Sequence, residues 1–354
     1  MDVSTTPRDT RLSQQLGLTE RMMMSPSMRH VVNAIDEGLV EIERQLIGDL
    51  EFTDSVADAA GRYLLEAGGK RVRPMLILLA AQLGDGNTQD VYDAAKAIEI
   101  THLASLYHDD VMDHADRRRG VPSAHTVWGN SVAILTGDLL FARASQLMAN
   151  LGERAIRLQA DTFERLVLGQ LHETVGPENG EDEEQHYIQV LADKTGSLIS
   201  TAARAGALFA HAPDSVQEAL REYGEKIGVA FQLVDDVIDL SPQPDQTGKV
   251  PGTDLRQGVA TLPMIYLRQS AKTDAADADL LRRIEDESGD AESAASESFL
   301  TAVADLYAHP VTERTRAEAK KWAAEAIAAL DDLPEGPVRD ALTRFGRKLA
   351  DRDR

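Results

Sequence analysis

Two copies of one acidic pattern constrain this chain more than any other feature: Asp109-Asp-Val-Met-Asp113 and Asp235-Asp-Val-Ile-Asp239. The first closes a stretch with no Gly or Pro between Gly86 and Gly120, rich in Ala, Leu and Ile. That stretch predicts one long helix ending near Asp113. On such a helix Asp109 and Asp113 lie one above the other, about 6 Å apart along the axis, with Asp110 roughly 100° round the side. Three carboxylates at the mouth of an apolar helix are costly unless cations neutralise them. Oxygen-only ligands suit Mg2+, which takes one or two carboxylates and completes its shell with substrate phosphates. Arg117, Arg118 and Arg119 follow within a turn or so, and arginine matches phosphate bidentately. Acids for metal beside bases for phosphate read as a diphosphate site. A chance Asp-Asp-x-x-Asp arises roughly 0.3 times in a chain of this length, so one copy means little. The second copy repeats the context, because the apolar run Val229-Ala-Phe-Gln-Leu-Val precedes it. Two solvated helix faces are then a poor explanation.

Composition narrows the surroundings. The 354 residues carry a net charge of −22, which disfavours nonspecific nucleic-acid binding. There is no cysteine, so disulfides and thiolate metal sites are excluded and a reducing cytoplasm is the expected home. Residues 1–27 are polar and contain Met22-Met-Met24 but no continuous apolar run, so they are expected to form a mobile arm rather than a signal peptide or anchor. No stretch approaches ~18 uninterrupted apolar residues, and no transmembrane segment is expected.

Helical spacing organises the rest. Val31, Val32, Ile35, Leu39, Ile42, Leu46 and Ile47 mark a helix from Met28 to Leu50, and a second covers Asp54 to Ala67. Gly68-Gly-Lys-Arg-Val-Arg-Pro74 then forms a glycine turn with three cations, and Pro74 suits the first turn of a helix over Met75 to Leu83. Cations at such a turn fit an anion, although a basic loop offsetting an acidic protein is the plainer reading. Further helices are expected over Ser131 to Leu151, Asp161 to Val175, Gln185 to His211, Pro213 to Leu240 and Thr312 to Leu330. Lys194-Thr195-Gly196 interrupts one of them, and a glycine there implies close packing or a local kink. Residues 270–297 read as a surface segment of weak apolar content. The chain ends on the basic stretch Arg344 to Arg354. With no strand alternation of any length, the expected architecture is all-α: one large single-domain helical bundle over residues 28–354.

These pieces resemble a known family. Gly68-Gly-Lys-Arg-Val-Arg-Pro, Asp-Asp-Val-Met-Asp with Arg-Arg-Gly, Lys194-Thr-Gly, Phe231-Gln, Asp-Asp-Val-Ile-Asp, and Gly248-Lys…Gly252-Thr-Asp-Leu…Thr261-Leu-Pro stand in the order found in all-trans isoprenyl (polyprenyl) diphosphate synthases. The resemblance runs from Gly68 to about Pro263 and implies that family's α-helical fold, usually dimeric, with a central cavity between the core helices. It implies that Asp109, Asp113 and Asp235 hold Mg2+ and that Asp110, Asp236 and Asp239 support them. Arg118, Lys194, Thr195, Gln232 and Lys249 are then expected to contact the allylic substrate or its diphosphate. Lys70, Arg73, His102 and Arg119 are expected to hold isopentenyl diphosphate, while Arg71 and Arg117 are basic neighbours. At Val259 many relatives carry lysine, so any phosphate contact from that position is lost here.

The implied reaction ionises the allylic C–O bond, joins the cation to the double bond of isopentenyl diphosphate, and releases a proton, to diphosphate rather than to a strong protein base. His102 is expected to hydrogen-bond rather than act as a base, His108 to pack or bond within its own helix, and Trp128 to pack in the core. Thr101, Ala104 and Ser105, one to two turns before Asp109, are all small where short-chain relatives commonly carry an aromatic floor. A medium or long polyprenyl product is expected, such as a quinone side-chain precursor, with geranylgeranyl diphosphate as the alternative and transient membrane contact at product release. A class I terpene cyclase usually has a different second metal motif and has no need of the glycine-turn cations. A regulatory subunit of a heteromeric synthase would tend to lose an aspartate motif, and a di-iron bundle would need Glu-x-x-His pairs that are not found.

Overall fold

Capping and punctuation residues fix the helices that carry the motifs. The computed structural model describes residues 25–242, 251–256, 258–287 and 296–352. Almost all of the expected N-terminal arm and the Lys249 position fall outside them. Helix α1 (Pro26–Asp49) is capped by the Ser25 hydroxyl, and α2 (Ser55–Glu66) by the Asp54 carboxylate. Helix α3 (Val72–Ala81) buries every residue from Pro74 to Ala81, so it is apolar all round, as an interior helix must be. Each Leu, Ile or Met buried there is worth about 1.5–3 kcal/mol. Helix α4 (Gln89–Met112) starts on the Thr88 cap and stops at Asp113.

A two-residue hairpin follows, β1 (Arg117–Arg118) with β2 (Val121–Pro122), and it carries two of the three arginines expected beyond the helix end. Next come α5 (Ala124–Trp128), α6 (Asn130–Asn150) and α7 (Glu153–Val175). Helix α7 starts eight residues earlier than the sequence suggested. Helix α8 (Glu183–Leu191) passes through a π-turn (Ala192–Gly196) into α9 (Ser197–Phe209). Helix α10 (Asp214–Asp239) ends on the second acidic motif. The remaining elements are α11 (Thr253–Arg256), α12 (Leu262–Ser270), α13 (Ala275–Glu285), α14 (Glu297–Ala308), α15 (Pro310–Ala329), a 3-10 turn (Leu330–Asp332) and α16 (Pro337–Ala350). The all-α expectation holds, with one minimal hairpin as the only sheet among the described residues.

Contacts divide the chain into two compact units. The first comprises Met1–Glu164, Leu198–Gly224 and Ala329–Phe345; the second comprises Arg165–Ser197, Glu225–Ala328 and Gly346–Arg354. Within the first, α4 packs most extensively on α6, and glycines set the closest approaches. A Cβ on Gly206 would fall 2.1 Å from the Ile77 carbonyl oxygen. Within the second, the core gathers Tyr187, Leu191, Leu233, Val234, Leu262, Ile265, Phe299 and Leu306. Leu280 and Ile284 of α13 belong to it. Residues 270–297 are therefore not merely a surface segment: a short amphipathic helix hides two apolar residues in an acidic, Ala-rich stretch.

Helix α6 is long and apolar enough by composition to cross a membrane, although Asp138 and Arg143 interrupt it and only a third of its apolar window is buried.

Candidate active site

In the first unit the chain turns back on itself directly after Asp113. The amide of Asp113 still donates to Asp109 O at 2.8 Å, and Ala115 N to Asp110 O at 3.0 Å. His114 then adopts φ +50°, which ends the helix. The tight turn at Arg119 (φ +52°) and Gly120 (φ +80°) has the two left-handed residues of a type I′ hairpin. A non-glycine residue there is strained, and Arg119 is held by donating to the Gly68 and Leu64 carbonyls. The hairpin returns Arg118 to Asp110, with Nε–Oδ1 at 2.7 Å.

Asp110 is fully buried, and burial pushes its carboxyl up from the usual range while Arg118 opposes the shift. Its Oδ2 has no hydrogen-bond partner among the described residues. Asp109 and Asp113, four residues apart, are partly exposed on the same helix end.

The glycine turn separates its cations by role. Arg71 (φ +49°) is 5% exposed and donates to Glu43 at 2.8 Å and to Glu99 at 3.0 Å. It also reaches the Gly68 and Leu65 carbonyls. Its duty, left open by the sequence, is to knit the turn to α1 and α4. Gly69 sits at φ +152°, a conformation that favours glycine, and a Cβ there would also crowd the ends of Arg71 and Arg119, 2.7 Å from Nη1 and 3.0 Å from Cζ. Lys70 is exposed. Burial lowers Arg73 to about 10, with Glu99 opposing and Arg119 adding to the fall. Burial, then Arg73, Arg119, Arg118 and Arg71, hold the His102 ring well below its usual range. The ring is therefore neutral and a weak base. Of the expected isopentenyl diphosphate residues, Arg73, Arg119 and His102 form one electrostatic cluster in which Glu99 acts on both arginines. Glu99 and Glu43 were missed by sequence reasoning. An acidic residue on the buried side of an otherwise apolar helix was the available signal.

His108 bonds across to α6 rather than within its own helix: Nε2 lies 3.0 Å from the Ile134 carbonyl, and Gly137 leaves room for the ring. Trp128 packs edge-on against Tyr63 at 5.0 Å and is half-buried. Arg117 donates to the Gly120 carbonyl within the hairpin. Thr101, Ala104 and Ser105 are buried, and both hydroxyls turn to their own helix, Thr101 to Ala97 O at 2.8 Å and Ser105 to His102 O at 2.9 Å.

In the second unit the motif is built differently. Tyr187 donates to Asp236 Oδ2 at 2.7 Å, and no cation pairs with that carboxyl among the described ion pairs. Burial raises Asp236 well above the usual range, Asp254 adds to it and Tyr187 opposes. Asp239 receives the returning chain, with its carbonyl accepting from Gly252 N at 2.8 Å and its Oδ2 from Asp254 N at 3.1 Å. Arg352 pairs with Asp235 at 3.1 Å and lies 5.7 Å over the Phe231 ring, so the C-terminal basic stretch reaches the motif. Thr195 donates to Gln232 at 3.3 Å, and Lys194 pairs with Glu173 of α7. Tyr187, Glu173 and Arg352 carried no readable sequence signal beyond the basic tail.

The two acidic motifs thus belong to separate units. Among the described residues no three acidic or imidazole groups form a ready metal cage. The donors are nevertheless all oxygen, each motif offers carboxylates at a helix end, and Asp110 keeps one buried oxygen without a hydrogen bond. That set fits a hard divalent ion whose shell is completed by substrate phosphate.

Comparison with known proteins agrees with this chemistry. Residues 54–299 match the family model described as polyprenyl synthetase. The chain is 43% identical over 310 residues to a nonaprenyl diphosphate synthase of Mycobacterium tuberculosis, covering 87% of this chain and 90% of the relative. A polyprenyl synthase from Caulobacter crescentus, crystallised with calcium and isoprenyl diphosphate, superposes with a TM-score of 0.82 at 29% identity, covering 94% and 99% of the two chains. A geranylgeranyl pyrophosphate synthase from Corynebacterium glutamicum, also complexed with calcium and isoprenyl diphosphate, has a TM-score of 0.78 at 36% identity, covering 92% and 98%.

Proposed function

Since the chain belongs to the polyprenyl synthetase family, and is thus a trans-prenyltransferase joining isopentenyl diphosphate to an allylic diphosphate, we propose that it works with Mg2+ and elongates beyond geranylgeranyl diphosphate. Asp109, Asp113 and Asp235 are the carboxylates that hold the metal. When bound, Mg2+ supplies positive charge to the departing diphosphate. Lys194, Thr195, Gln232, Arg118 and Lys249 bind and orient the allylic diphosphate. Lys70, Arg73 and Arg119 hold isopentenyl diphosphate, and the neutral His102 ring hydrogen-bonds to it. As the allylic C–O bond breaks, negative charge grows on the leaving oxygen, and each preorganised cation is worth about 3 kcal/mol there. The double bond of isopentenyl diphosphate supplies the electron pair for the new C–C bond. The proton then lost goes to the released diphosphate, which suits a site whose buried His102 ring is too weakly basic to compete.

The observation that carries the product length is the small, buried level on α4. Thr101, Ala104 and Ser105 have no bulk, and both hydroxyls are satisfied by the helix backbone. A growing apolar tail meets no floor and no unpaired polar group at that level. Incubating the enzyme with labelled isopentenyl diphosphate, an allylic primer and Mg2+, then sizing the products, tests it. A wild type that stops at geranylgeranyl diphosphate overturns the reading, and Ala104→Phe is expected to shorten the product. A medium or long product suits a quinone side chain.

We also propose a homodimer in the cytoplasm. Helix α7 exposes Ile156, Phe163, Val167, Leu168, Leu171 and Val175, the last two at 52% and 72%. A row of this kind on one helix is suited to cover by a second copy. Sedimentation of the purified protein as a monomer at micromolar concentration counts against it.

A further inference from the structure

The reading of Lys194 and Thr195 as allylic-diphosphate ligands leaves open how they are aimed. They sit in the π-turn Ala192–Gly196, where Ser197 N donates to Ala192 O, five residues back, instead of four. Each residue in a regular helix advances about 100°, so one extra residue in a turn changes the face that the following side chains occupy relative to α8. A π-turn is a costly local choice and persists only where neighbours stabilise it.

Here four groups do so, all within the second unit. Arg165 of α7 sends Nε to Asp193 Oδ1 at 2.7 Å and its two terminal nitrogens to Glu225 at 3.1 and 3.4 Å, and it touches the Ala192 carbonyl at 3.4 Å. Gln189 donates to the other Asp193 oxygen at 2.8 Å. Ser197 Oγ donates to the Asp193 carbonyl. Two glycines bring the backbones to the turn. A Cβ on Gly169 would lie 2.6 Å from Lys194 N, and one on Gly196 would lie 3.1 Å from Glu225 O.

We propose that Arg165, with Asp193 and Glu225 as its two carboxylate partners, is a positioning residue that clamps the π-turn and thereby presents Lys194 and Thr195 to the allylic diphosphate. Arg165 itself touches no substrate. The guanidinium fork fixes three points at once, the Asp193 side chain, the Ala192 carbonyl and Glu225 on α10, which a single ammonium group cannot span. The clamp rests on the ligand reading of Lys194, and the test separates the two.

Allylic and isopentenyl KM values are measured for the Mg2+-supplied enzyme carrying Arg165→Ala, Arg165→Lys, Asp193→Asn or Lys194→Ala, and for the Arg165→Ala/Lys194→Ala pair. Arg165→Ala is expected to raise the allylic KM about tenfold while leaving the isopentenyl KM within about twofold, with Arg165→Lys intermediate. In the Lys194→Ala background the Arg165 substitution is expected to add clearly less than in the wild type, because the part of its effect that passes through that lysine is already lost and only the part through Thr195 remains. If the two losses simply multiply, or if Arg165→Ala lowers the melting temperature and leaves the allylic KM alone, the clamp is overturned while the ligand role of Lys194 stands. If Lys194→Ala leaves the allylic KM unchanged, the ligand reading falls and the clamp with it. Should Arg165→Ala fail to fold, Arg165→Lys and Asp193→Asn decide: an unchanged allylic KM in both overturns the proposal.

Discussion

Asp110 and Asp236 hold the same place in two copies of one motif, and the protein neutralises them in opposite ways. Asp110 receives a guanidinium: Arg118 returns to it at 2.7 Å through a hairpin only eight residues away. Asp236 receives a phenol: Tyr187 donates to it at 2.7 Å from a helix 49 residues upstream. Around the first motif lie arginines framed by the buried Glu99 and the half-buried Glu43, so charge is balanced with charge. Around the second, Asp254 and the motif's own carboxylates add to the burial that raises Asp236. Nearly identical pentapeptides therefore sit in different electrostatic surroundings. The motif sets which atoms are available, and distant elements set their charge.

The largest effect tests whether both regions serve one reaction. Asp109→Ala and Asp235→Ala are each expected to lower kcat/KM by about a thousandfold, the scale of losing preorganised charge at a developing anion. Steady-state kinetics at saturating Mg2+ check it. A variant of either motif that keeps near wild-type turnover breaks the pairing of the two regions, as does wild-type activity in excess EDTA.

Next in size is the charge-balanced region. Arg71 lies between Glu43 and Glu99, and Arg71 and Glu99 are almost wholly buried. Arg71→Ala leaves Glu99 buried with Arg119, 4.0 Å away, as its remaining ion-pair partner among the described residues, and is expected to cost about 3 kcal/mol of stability. Urea unfolding measures it. A loss near zero means the arginines of this region stand there for substrate alone.

What could be read beforehand follows the range of the interactions. Helix α4 was legible because Thr88 caps it, no Gly or Pro interrupts it, and its end coincides with the motif. The core cluster around α10 was legible from its apolar spacing. Helix α14 was not: Phe299, Val303 and Leu306 are buried there, but the acidic, Ala- and Ser-rich stretch before them masks the start. The π-turn was visible only as a glycine in a helix, since the groups that stabilise it, Arg165 and Glu225, lie far away in the chain. The same holds for the partners of the motifs. Arg118, expected at the substrate, is a sequence neighbour of the Asp110 it pairs with, whereas Tyr187 and Arg352 meet the second motif only in space.

The phenol side offers a smaller test. Tyr187→Phe removes one neutral donor and leaves Asp236 Oδ2 buried without it, which is expected to cost about 1.5 kcal/mol. Thermal melting at fixed pH checks it. A loss as large as that of Arg71→Ala erases the distinction between the two regions.

The smallest effect comes from protons and reads the sign of the first region's field directly. His102 faces Arg73, Arg119, Arg118 and Arg71, with Glu99 as the nearby counter-charge, and burial and those arginines depress its ring well below 6.5. In the unfolded chain the ring takes up a proton near that value, and in the native state it does not. The unfolded state therefore binds more protons on mild acidification, and stability contributed above the unfolded value is lost as pH falls through it. Between pH 7 and pH 6 the loss is about 0.7 kcal/mol for a ring that stays neutral when folded. The measurement is the difference in unfolding free energy between wild type and His102→Gln at the two pH values, since other titrating groups cancel in it. A difference that vanishes means the native ring titrates like the unfolded one, and one of opposite sign means the ring takes up its proton more readily when folded. The glutamates would then outweigh the arginines around the glycine turn, and the contrast between the two acidic motifs would have to be redrawn.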